Sequence, residues 1–294
     1  MFYTIENENL KATFASVGAE IQSLVLKSNN KEYIWYAKEN VWGEHAPMLF
    51  PVIARLKDGE YSYKGQIYQI PMHGFAKSTE LDVLEQKEDS ITFVLKATED
   101  TLKMYPFHFE LQVCYTLEGN SLKKEHTIIN HGENDMYYEL GGHDGYNLCL
   151  EEGETMEDYY IDFGNLEALY PLCCDENIMM LKDTYKVPLT DSKLSLSMEV
   201  FSKDALVLHG VPVNTVTIKS TKSDRTIKFD FDKGFNTLGI WTRYLPFETK
   251  YVCLEPWTTL PDCAYLGKEI EEKVDVRLLE AGKSEKLSFT VTVQ

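Results

Sequence analysis

An all-β fold, an antiparallel sandwich or barrel, is predicted by three features of the sequence. The clearest is the strict alternation of apolar and polar residues over residues 107–117, which fits the two-residue period of a β-strand and is hard to fit to a helix. Similar alternation returns in residues 194–200, 227–231 and 287–293. Turn signals separate these runs and no strand–helix–strand rhythm is present, which favours antiparallel pairing.

The N-terminal part is expected to form a β-meander. Residues 10–26 alternate around Gly18, and Asn29 and Asn30 are typical of a hairpin turn before a short apolar run at residues 32–36. The chain should therefore open with neighbouring strands joined by tight turns.

Residues 41–58 break the alternation and are expected to be irregular. They carry Arg55 towards a turn at residues 57–59, after which residues 60–70 resume strand and turn. His73 follows, beside a glycine. Irregular segments on a rigid sheet often carry binding or catalytic groups, so this region is a candidate site.

The remaining pattern adds strands, and we expect one domain covering residues 1–294. Residues 122–130 form a further candidate strand, and the helical stretch expected near residues 101–105 is short. Single sandwiches often exceed about 200 residues, so the length of the chain does not require a domain boundary. The sequence also has no linker rich in Pro, Gly or Ser and no repeat.

A histidine and a glutamate, each at the end of an apolar run, are the candidate catalytic groups. His143 follows two glycines, which let the backbone turn and a ligand approach, and its imidazole can give and take a proton near neutrality. Glu255 precedes Pro256, which holds it in extended geometry, and Trp257, whose ring can form a wall. A turn histidine and a surface carboxylate would leave the same local patterns, so neither stretch identifies a site alone.

Charge and hydropathy argue against two classes of partner. The chain has 47 acidic and 29 basic residues, a formal net charge of −18, which would repel nucleic acid and anionic membranes. No apolar run approaches the roughly 20 residues of a membrane span, and residues 1–9 lack the pattern of a signal peptide. We therefore expect a cytoplasmic protein that acts on a small neutral ligand, with its oligomeric state, monomer or homodimer, left open.

No metal and no cofactor are expected. The six cysteines show no CxxC spacing, and several lie in apolar strands, where a free thiol packs as a small hydrophobe. His73, His143 and Asp144 show no HxH or HExxH spacing. Reduced thiols and no structural zinc are the expectation.

Other chemistries are distinguished less clearly. A nucleophilic serine or cysteine is not indicated, because the sequence has no GxSxG elbow or positioned cysteine. Glycoside hydrolysis needs only two carboxylates and stays open. Four tryptophans and 18 tyrosines offer rings for a sugar to lie against, although aromatic residues of a sheet protein are more often core.

Seven stretches together resemble the aldose 1-epimerase family, also described as galactose mutarotase-like, and within it the LacX-like branch. They occur in order over most of the chain, at residues 10–24, 32–35, 51–55, 72–75, 140–143, 239–241 and 254–257. The resemblance implies a large antiparallel β-sandwich, sometimes called a supersandwich. It also implies interconversion of the α and β anomers of a free aldose without a cofactor.

The resemblance further implies roles for five residues. His143 is similar to the general acid that protonates the ring oxygen, and Glu255 to the general base that removes the proton of the C1 hydroxyl. His73 resembles the histidine that hydrogen-bonds the sugar near the ring oxygen, and Arg55 the arginine that binds its hydroxyls. This chain lacks the longer loop that carries the substrate-binding aspartate of galactose mutarotases, and Asp204 is the candidate for that role.

This chemistry requires the acid and the base to be in opposite protonation states. We expect an ionised Glu255 with an ordinary pKa and an imidazole, His143, that keeps its proton beside acidic groups. Two alternatives stay open. One is a hexose-6-phosphate epimerase of the same superfamily, with Arg55, Lys57 and Lys77 as phosphate contacts. The other is a sandwich that binds carbohydrate without catalysis and does not need His143 and Glu255 together.

Overall fold

Antiparallel strands are the main regular secondary structure in the computed structural model, which describes residues 1–245 and 249–294. Within these residues the chain forms 27 strands and one α-helix, α1 (Glu99–Met104). The strands in chain order are β1 (Phe2–Glu6), β2 (Leu10–Ala15), β3 (Ile21–Leu26), β4 (Lys31–Glu32), β5 (Met48–Leu49), β6 (Glu60–Tyr63), β7 (Gln66–Gln69), β8 (Asp82–Gln86), β9 (Ser90–Lys96), β10 (Phe109–Glu118), β11 (Ser121–Asn130), β12 (Met136–Tyr138), β13 (Gly141–Gly142), β14 (Asp144–Asn147), β15 (Tyr159–Asp162), β16 (Ala168–Leu169), β17 (Leu172–Cys174), β18 (Met180–Thr184), β19 (Val187–Pro188), β20 (Lys193–Ser195), β21 (Leu206–His209), β22 (Thr215–Ser220), β23 (Thr226–Phe231), β24 (Thr237–Trp241), β25 (Tyr251–Trp257), β26 (Arg277–Leu279) and β27 (Ser284–Val293). Short 3₁₀ turns occupy Lys57–Gly59, Ala76–Ser78, Met156–Asp158, Met198–Phe201 and Ile270–Glu272.

A nine-stranded sheet forms one layer, in the order β20-β15-β22-β23-β27-β11-β10-β9-β8. Its centre is the ladder of β10, β11 and β27, in which neighbouring strands run antiparallel. Along β10 the residues Leu111, Val113 and Tyr115 are fully buried and alternate with partly exposed neighbours. The predicted period of two is therefore the division between a core face and an outer face.

A six-stranded sheet forms the second layer, in the order β21-β24-β25-β13-β5, with β14 also paired to β25. All seven residues of β25 are buried. Val252 and Leu254 belong to the main hydrophobic core. Cys253 and Trp257 belong to separate apolar clusters. Since successive side chains of a strand point to opposite faces, this sheet is covered on both sides.

The inner face of the six-stranded sheet packs on the nine-stranded sheet. Tyr146 of β14 contacts Phe229 of β23, with ring centroids 6.3 Å apart. A methyl group added at Gly142 would lie 2.8 Å from the ring of Phe289 on β27, so the sheets approach closely there. This arrangement is the predicted antiparallel β-sandwich, and it leaves the outer face of the six-stranded sheet for the site.

Most predicted elements are confirmed, and one strand is wrong in extent. The alternating run at residues 10–26 forms β2 and β3, and the short helix falls where expected. Residues 41–58 are irregular apart from β5. The predicted strand at residues 194–200 is wrong beyond Ser195, because the chain turns into a 3₁₀ segment that buries Phe201.

All six cysteines are free thiols, as expected. Within residues 1–245 and 249–294, no helix is long and apolar enough to cross a lipid bilayer.

Candidate active site

A cavity of about 750 Å³ opens on the outer face of the six-stranded sheet. All five residues singled out from the sequence line it: Arg55, His73, His143, Asp204 and Glu255. They come from five separate stretches of the chain, so only the fold brings them together.

Glu255 reaches the cavity because β25 alternates between core and site. The residue is 1% exposed, and its backbone pairs with Gly239 on β24. A methyl group at Gly239 would lie 2.9 Å from the ring of Trp257 and 3.1 Å from Cβ of Glu255. Glycine at this position therefore makes room for both side chains.

His143 lies at the junction of β13 and β14, and its Nε2 is 3.2 Å from Oε2 of Glu255. Its backbone N–H donates to the carbonyl oxygen of Pro47, which fixes the turn. The imidazole is flanked by the rings of Trp42 and Trp241, with centroids 5.0 and 5.4 Å away. These contacts hold the ring against the carboxyl group.

Burial shifts the proton equilibria of this pair in opposite directions. It raises the pKa of Glu255 well above its usual value, and the nearby charges of Asp204 and Asp144 act in the same direction. Burial, with a further contribution from His73, lowers the pKa of His143 well below its usual value. The expected ordinary pKa for Glu255 and the expectation that His143 keeps its proton are therefore both wrong for the ligand-free pair. The ligand-free pair favours one proton and no net charge, because a poorly solvated site penalises both ions.

His73 lies next to this pair, with its ring centroid 5.5 Å from that of His143. Its Nδ1 accepts a hydrogen bond from the backbone N–H of Ala54 at 3.1 Å. Burial, with the charges of Lys77 and Arg55, lowers the pKa of His73 to about 4. At neutral pH the ring is therefore uncharged with its proton on Nε2, the nitrogen that is left to donate.

Arg55 is exposed and lines the cavity, and its side chain has no ionic or hydrogen-bonding partner among the described residues. The backbone around it is held on both sides. The Ile53 N–H donates to Oε2 of Glu139 at 2.6 Å, and the Lys57 N–H donates to Oδ2 of Asp262 at 2.8 Å. A free guanidinium is thus presented by a fixed backbone.

Asp204 is at the rim of the cavity, just before β21. Its Oδ1 accepts a hydrogen bond from Nε1 of Trp241 at 2.8 Å. One carboxylate oxygen is thereby oriented while the other is available to a ligand. The sequence candidate for a substrate-binding aspartate thus lies in the cavity, near Glu255.

Sequence reasoning missed one wall of the cavity. It is formed by the β17–β18 hairpin and its surroundings, which contribute Leu172, Cys173, Cys174, Ile178, Met180 and Tyr185. No period marks this region in the sequence, because its apolar residues resemble ordinary core. Lys203 and Glu44 were also missed, since charged residues near a turn resemble solvated surface.

Lys57 and Lys77, which the sequence analysis considered as phosphate contacts, do not line the cavity. Nζ of Lys77 is 2.6 Å from Oε1 of Glu44. The cavity's basic residues are Arg55 and Lys203.

Among the described residues, one group of three could hold a metal ion: His143, Cys253 and Glu255, whose ligand atoms lie within 4.8 Å of one another. The sequence gives no signal for this group, because its spacing is unlike that of known metal motifs.

A β-sandwich that places a buried imidazole against a buried carboxyl group, beside aromatic rings and an arginine, has the features of an enzyme that moves protons on a carbohydrate. The family model for aldose 1-epimerase matches residues 1–274. The chain belongs to the aldose 1-epimerase family.

Individual relatives agree with this assignment over the whole chain. The plasmid form of the protein LacX from Lactococcus lactis subsp. lactis is 31% identical over 303 residues, covering 100% of this chain and 99% of LacX. A galactose mutarotase related enzyme from Lactobacillus acidophilus has a TM-score of 0.93 and 35% identity, covering 100% of this chain and 97% of that one. A galactose mutarotase-like protein from Lactobacillus casei has a TM-score of 0.92 and 28% identity, with both chains fully covered. The protein is therefore LacX-like in sequence and galactose mutarotase-like in fold.

Proposed function

We propose that this protein is an aldose 1-epimerase that interconverts the α and β anomers of a free hexose. The observation that carries the proposal is the 3.2 Å contact between Nε2 of His143 and Oε2 of Glu255 on the wall of a cavity. Ring opening requires one proton to be taken and another to be given within the same small molecule. Two adjacent groups that share one proton supply one acceptor and one donor.

In the proposed reaction, the shared proton moves from Glu255 to His143 when the sugar is bound. Glu255 then takes the proton of the C1 hydroxyl, and His143 gives its proton to the ring oxygen. The C1–O5 bond breaks and an open-chain aldehyde forms. Rotation about the C1–C2 bond presents the other face of the aldehyde. Ring closure then returns the O5 hydroxyl proton to His143 and the Glu255 proton to the carbonyl oxygen, so no atom is gained or lost.

The neighbouring groups fit the binding of a neutral polyol. The Nε2–H of His73 can donate to an acceptor near the ring oxygen, and the guanidinium of Arg55 can donate to two hydroxyls. The free oxygen of Asp204 can accept from a hydroxyl. Trp241, between Asp204 and His143, offers a ring face to the C–H groups of the sugar.

The charges of the cavity favour a free sugar over a phosphosugar. Among the described lining residues, the basic Arg55 and Lys203 face the carboxylates of Glu44 and Asp204, and the His143–Glu255 pair adds no net charge. A dianion would be repelled by the acidic groups and would have to compete with them for the two cations. The hexose-6-phosphate reaction is the second candidate. The observation in its favour is that Lys203, a second cation beside Arg55, lines the cavity.

The test is polarimetry of freshly dissolved α-glucose and α-galactose with and without protein. We expect the native protein to accelerate the change in optical rotation for at least one sugar. Glu255→Gln and His143→Asn should each lower kcat by at least about a hundredfold, the usual range for lost acid–base catalysis.

A matched control is available in a second His–Glu pair outside the cavity, in which Nε2 of His131 lies 3.1 Å from Oε2 of Glu110. Glu110→Gln and His131→Asn should leave kcat unchanged. Near-native turnover in either cavity variant would overturn the role given to that residue. A native protein that binds these sugars but leaves their rotation unchanged would instead indicate a carbohydrate-binding protein without catalysis.

A further inference from the structure

Three buried charged side chains lie beneath the segment that carries Arg55. Glu139, Asp262 and Lys273 are at most 8% exposed. Nζ of Lys273 lies 2.6 Å from Oδ1 of Asp262 and 3.1 Å from Oε1 of Glu139. We name these three residues the buried triad.

Each carboxylate of the triad uses its second oxygen to hold the segment at residues 53–57. Glu139 accepts from the Ile53 N–H, and Asp262 accepts from the Lys57 N–H. These two hydrogen bonds lie two residues before and two residues after Arg55. Lys273 joins the carboxylates, so both ends of the segment are fixed to one ammonium group.

The same segment is also joined to His73. The Ala54 N–H donates to Nδ1 of His73, and the His73 N–H donates to the Ala54 carbonyl oxygen at 2.8 Å. Any displacement of residues 53–57 would therefore move Arg55 and would also remove the hydrogen bond that fixes the His73 tautomer. The triad is connected to two ligand-facing side chains through one stretch of backbone.

Stability alone is a weak explanation for the triad. Burying an ammonium and two carboxylates carries a desolvation penalty, and well-packed apolar residues of similar volume are often as stable. What apolar residues cannot do is accept the two backbone N–H groups that flank Arg55. The buried triad therefore serves to fix the position of residues 53–57.

We propose that the buried triad is the positioning device of the sugar-binding segment and that Lys273, 218 positions after Arg55 in the sequence, sets ligand affinity through it. Lys273 does not line the cavity. It is a positioning residue, and its effect should appear in binding and should depend on Arg55. This inference rests on the proposed function only in taking a hexose as the ligand.

The experiment is a double-mutant cycle read as the dissociation constant of a hexose, from the fluorescence of the cavity tryptophans or by calorimetry. The probes are galactose and glucose. Lys273→Met and Arg55→Ala should each weaken binding by about tenfold, the loss expected for a misplaced or missing charged hydrogen-bonding group. In the Arg55→Ala background, Lys273→Met should cost less than it does in the native background, because one of the two side chains that it positions is gone and only the effect through His73 is left. Lys273→Arg, which can still bridge the carboxylates, should restore part of the affinity.

Lys268→Met is the matched control. Nζ of Lys268 lies 2.7 Å from Asp58 and 2.6 Å from Glu60, so it also joins two carboxylates beside the same segment. The backbone N–H groups of Ile53 and Lys57 donate instead to the two carboxylates that Lys273 joins. Its removal should leave sugar affinity unchanged.

Asp262→Ala is the second variant in case Lys273→Met does not fold. It removes the acceptor of the Lys57 N–H together with the contact between Asp262 and Lys273, and it leaves Lys273 paired with Glu139. Weaker binding in Asp262→Ala that becomes smaller in the Arg55→Ala background supports the proposal. Equal losses with and without Arg55, or native affinity in a folded Lys273→Met or Asp262→Ala protein, would overturn it. A native protein that binds neither hexose would contradict the proposed function itself, a separate outcome.

Discussion

Glu255 is a carboxyl group in a place where its charge is poorly solvated, and this determines how the site can move protons. Burial raises the pKa of Glu255, and burial lowers the pKa of His143. The two groups are in contact, so their titrations are coupled and belong to the pair. A second proton should enter the pair only at acid pH, and the last should leave only at alkaline pH.

The first prediction at this scale is a flat pH profile around neutrality. We expect kcat/KM of the native enzyme to change little between about pH 6 and about pH 8, because the pair keeps one proton throughout this range. Separate groups with ordinary pKa values would behave differently. A catalytic imidazolium with a pKa near 6.5 would lose activity about tenfold per pH unit above that value.

The measurement is the polarimetric rate at low sugar concentration across this range, corrected for the uncatalysed reaction in each buffer. A steady fall above about pH 6.5 would show that His143 titrates as an isolated group and would contradict the coupled pair. Glu255→Gln, in which no carboxyl proton is shared, is the comparison, and its residual rate should follow the titration of the histidine alone.

At the scale of elements, the close packing of β24 against β25 makes glycine at position 239 a requirement of the site. We predict that Gly239→Ala lowers kcat by about a hundredfold while the protein folds, since a displacement of about 1 Å can cost that much. The added methyl would press on Trp257 and on Cβ of Glu255 at 2.9 and 3.1 Å.

Gly267→Ala is the control, because a methyl group there would meet no atom within 4 Å. Both variants should show a cooperative unfolding transition, and only Gly239→Ala should lose turnover. Native turnover in Gly239→Ala would mean that Trp257 and Glu255 can shift without cost.

The strands could be predicted from the sequence where one face is solvated and not where both faces are covered. β10 and β27 can be recognised from the sequence because every second side chain is at least partly exposed over most of their length. The β17–β18 hairpin gives no such signal, since residues that cover a cavity are apolar for the same reason as core residues. Residues 194–200 alternate as a strand would, but tertiary packing of Phe201 turns the chain after Ser195.

The five candidate site residues were within reach of sequence analysis because their neighbours, glycines and apolar strand ends, mark them, and because they lie in stretches that resemble a family. The protonation states of these residues could not be predicted from the sequence. The pKa shifts of Glu255 and His143 come mainly from burial, to which rings such as that of Trp42 contribute, and the charge of Asp204 adds to the shift of Glu255. Both Trp42 and Asp204 lie far from this pair in the sequence.

At the scale of the whole molecule, a net charge of −18 should affect which substrates arrive. We predict that a hexose 6-phosphate is a poorer substrate than the free hexose and that its kcat/KM rises with salt, because screening reduces the repulsion of a dianion. The rate with free galactose or glucose should barely change with salt.

The comparison is galactose against galactose 6-phosphate, and glucose against glucose 6-phosphate, at low and moderate ionic strength. A preference for the phosphosugar that weakens as salt is added would show that Arg55 and Lys203 form charge-assisted contacts with phosphate. It would support the hexose-6-phosphate reaction over the proposed one.

The double covering of the six-stranded sheet has a consequence for how the protein can change. On β25, Val252 and Leu254 face the interior of the sandwich, while Glu255 and Trp257 line the cavity. Substitutions at alternate positions of this seven-residue strand should therefore have different effects. Those on the interior face should reduce solubility, and those on the cavity face should reduce turnover. The cavity-lining side chain of Trp257 can be changed without touching the interior of the sandwich. An insertion or deletion of one residue would exchange the two faces and abolish both properties at once.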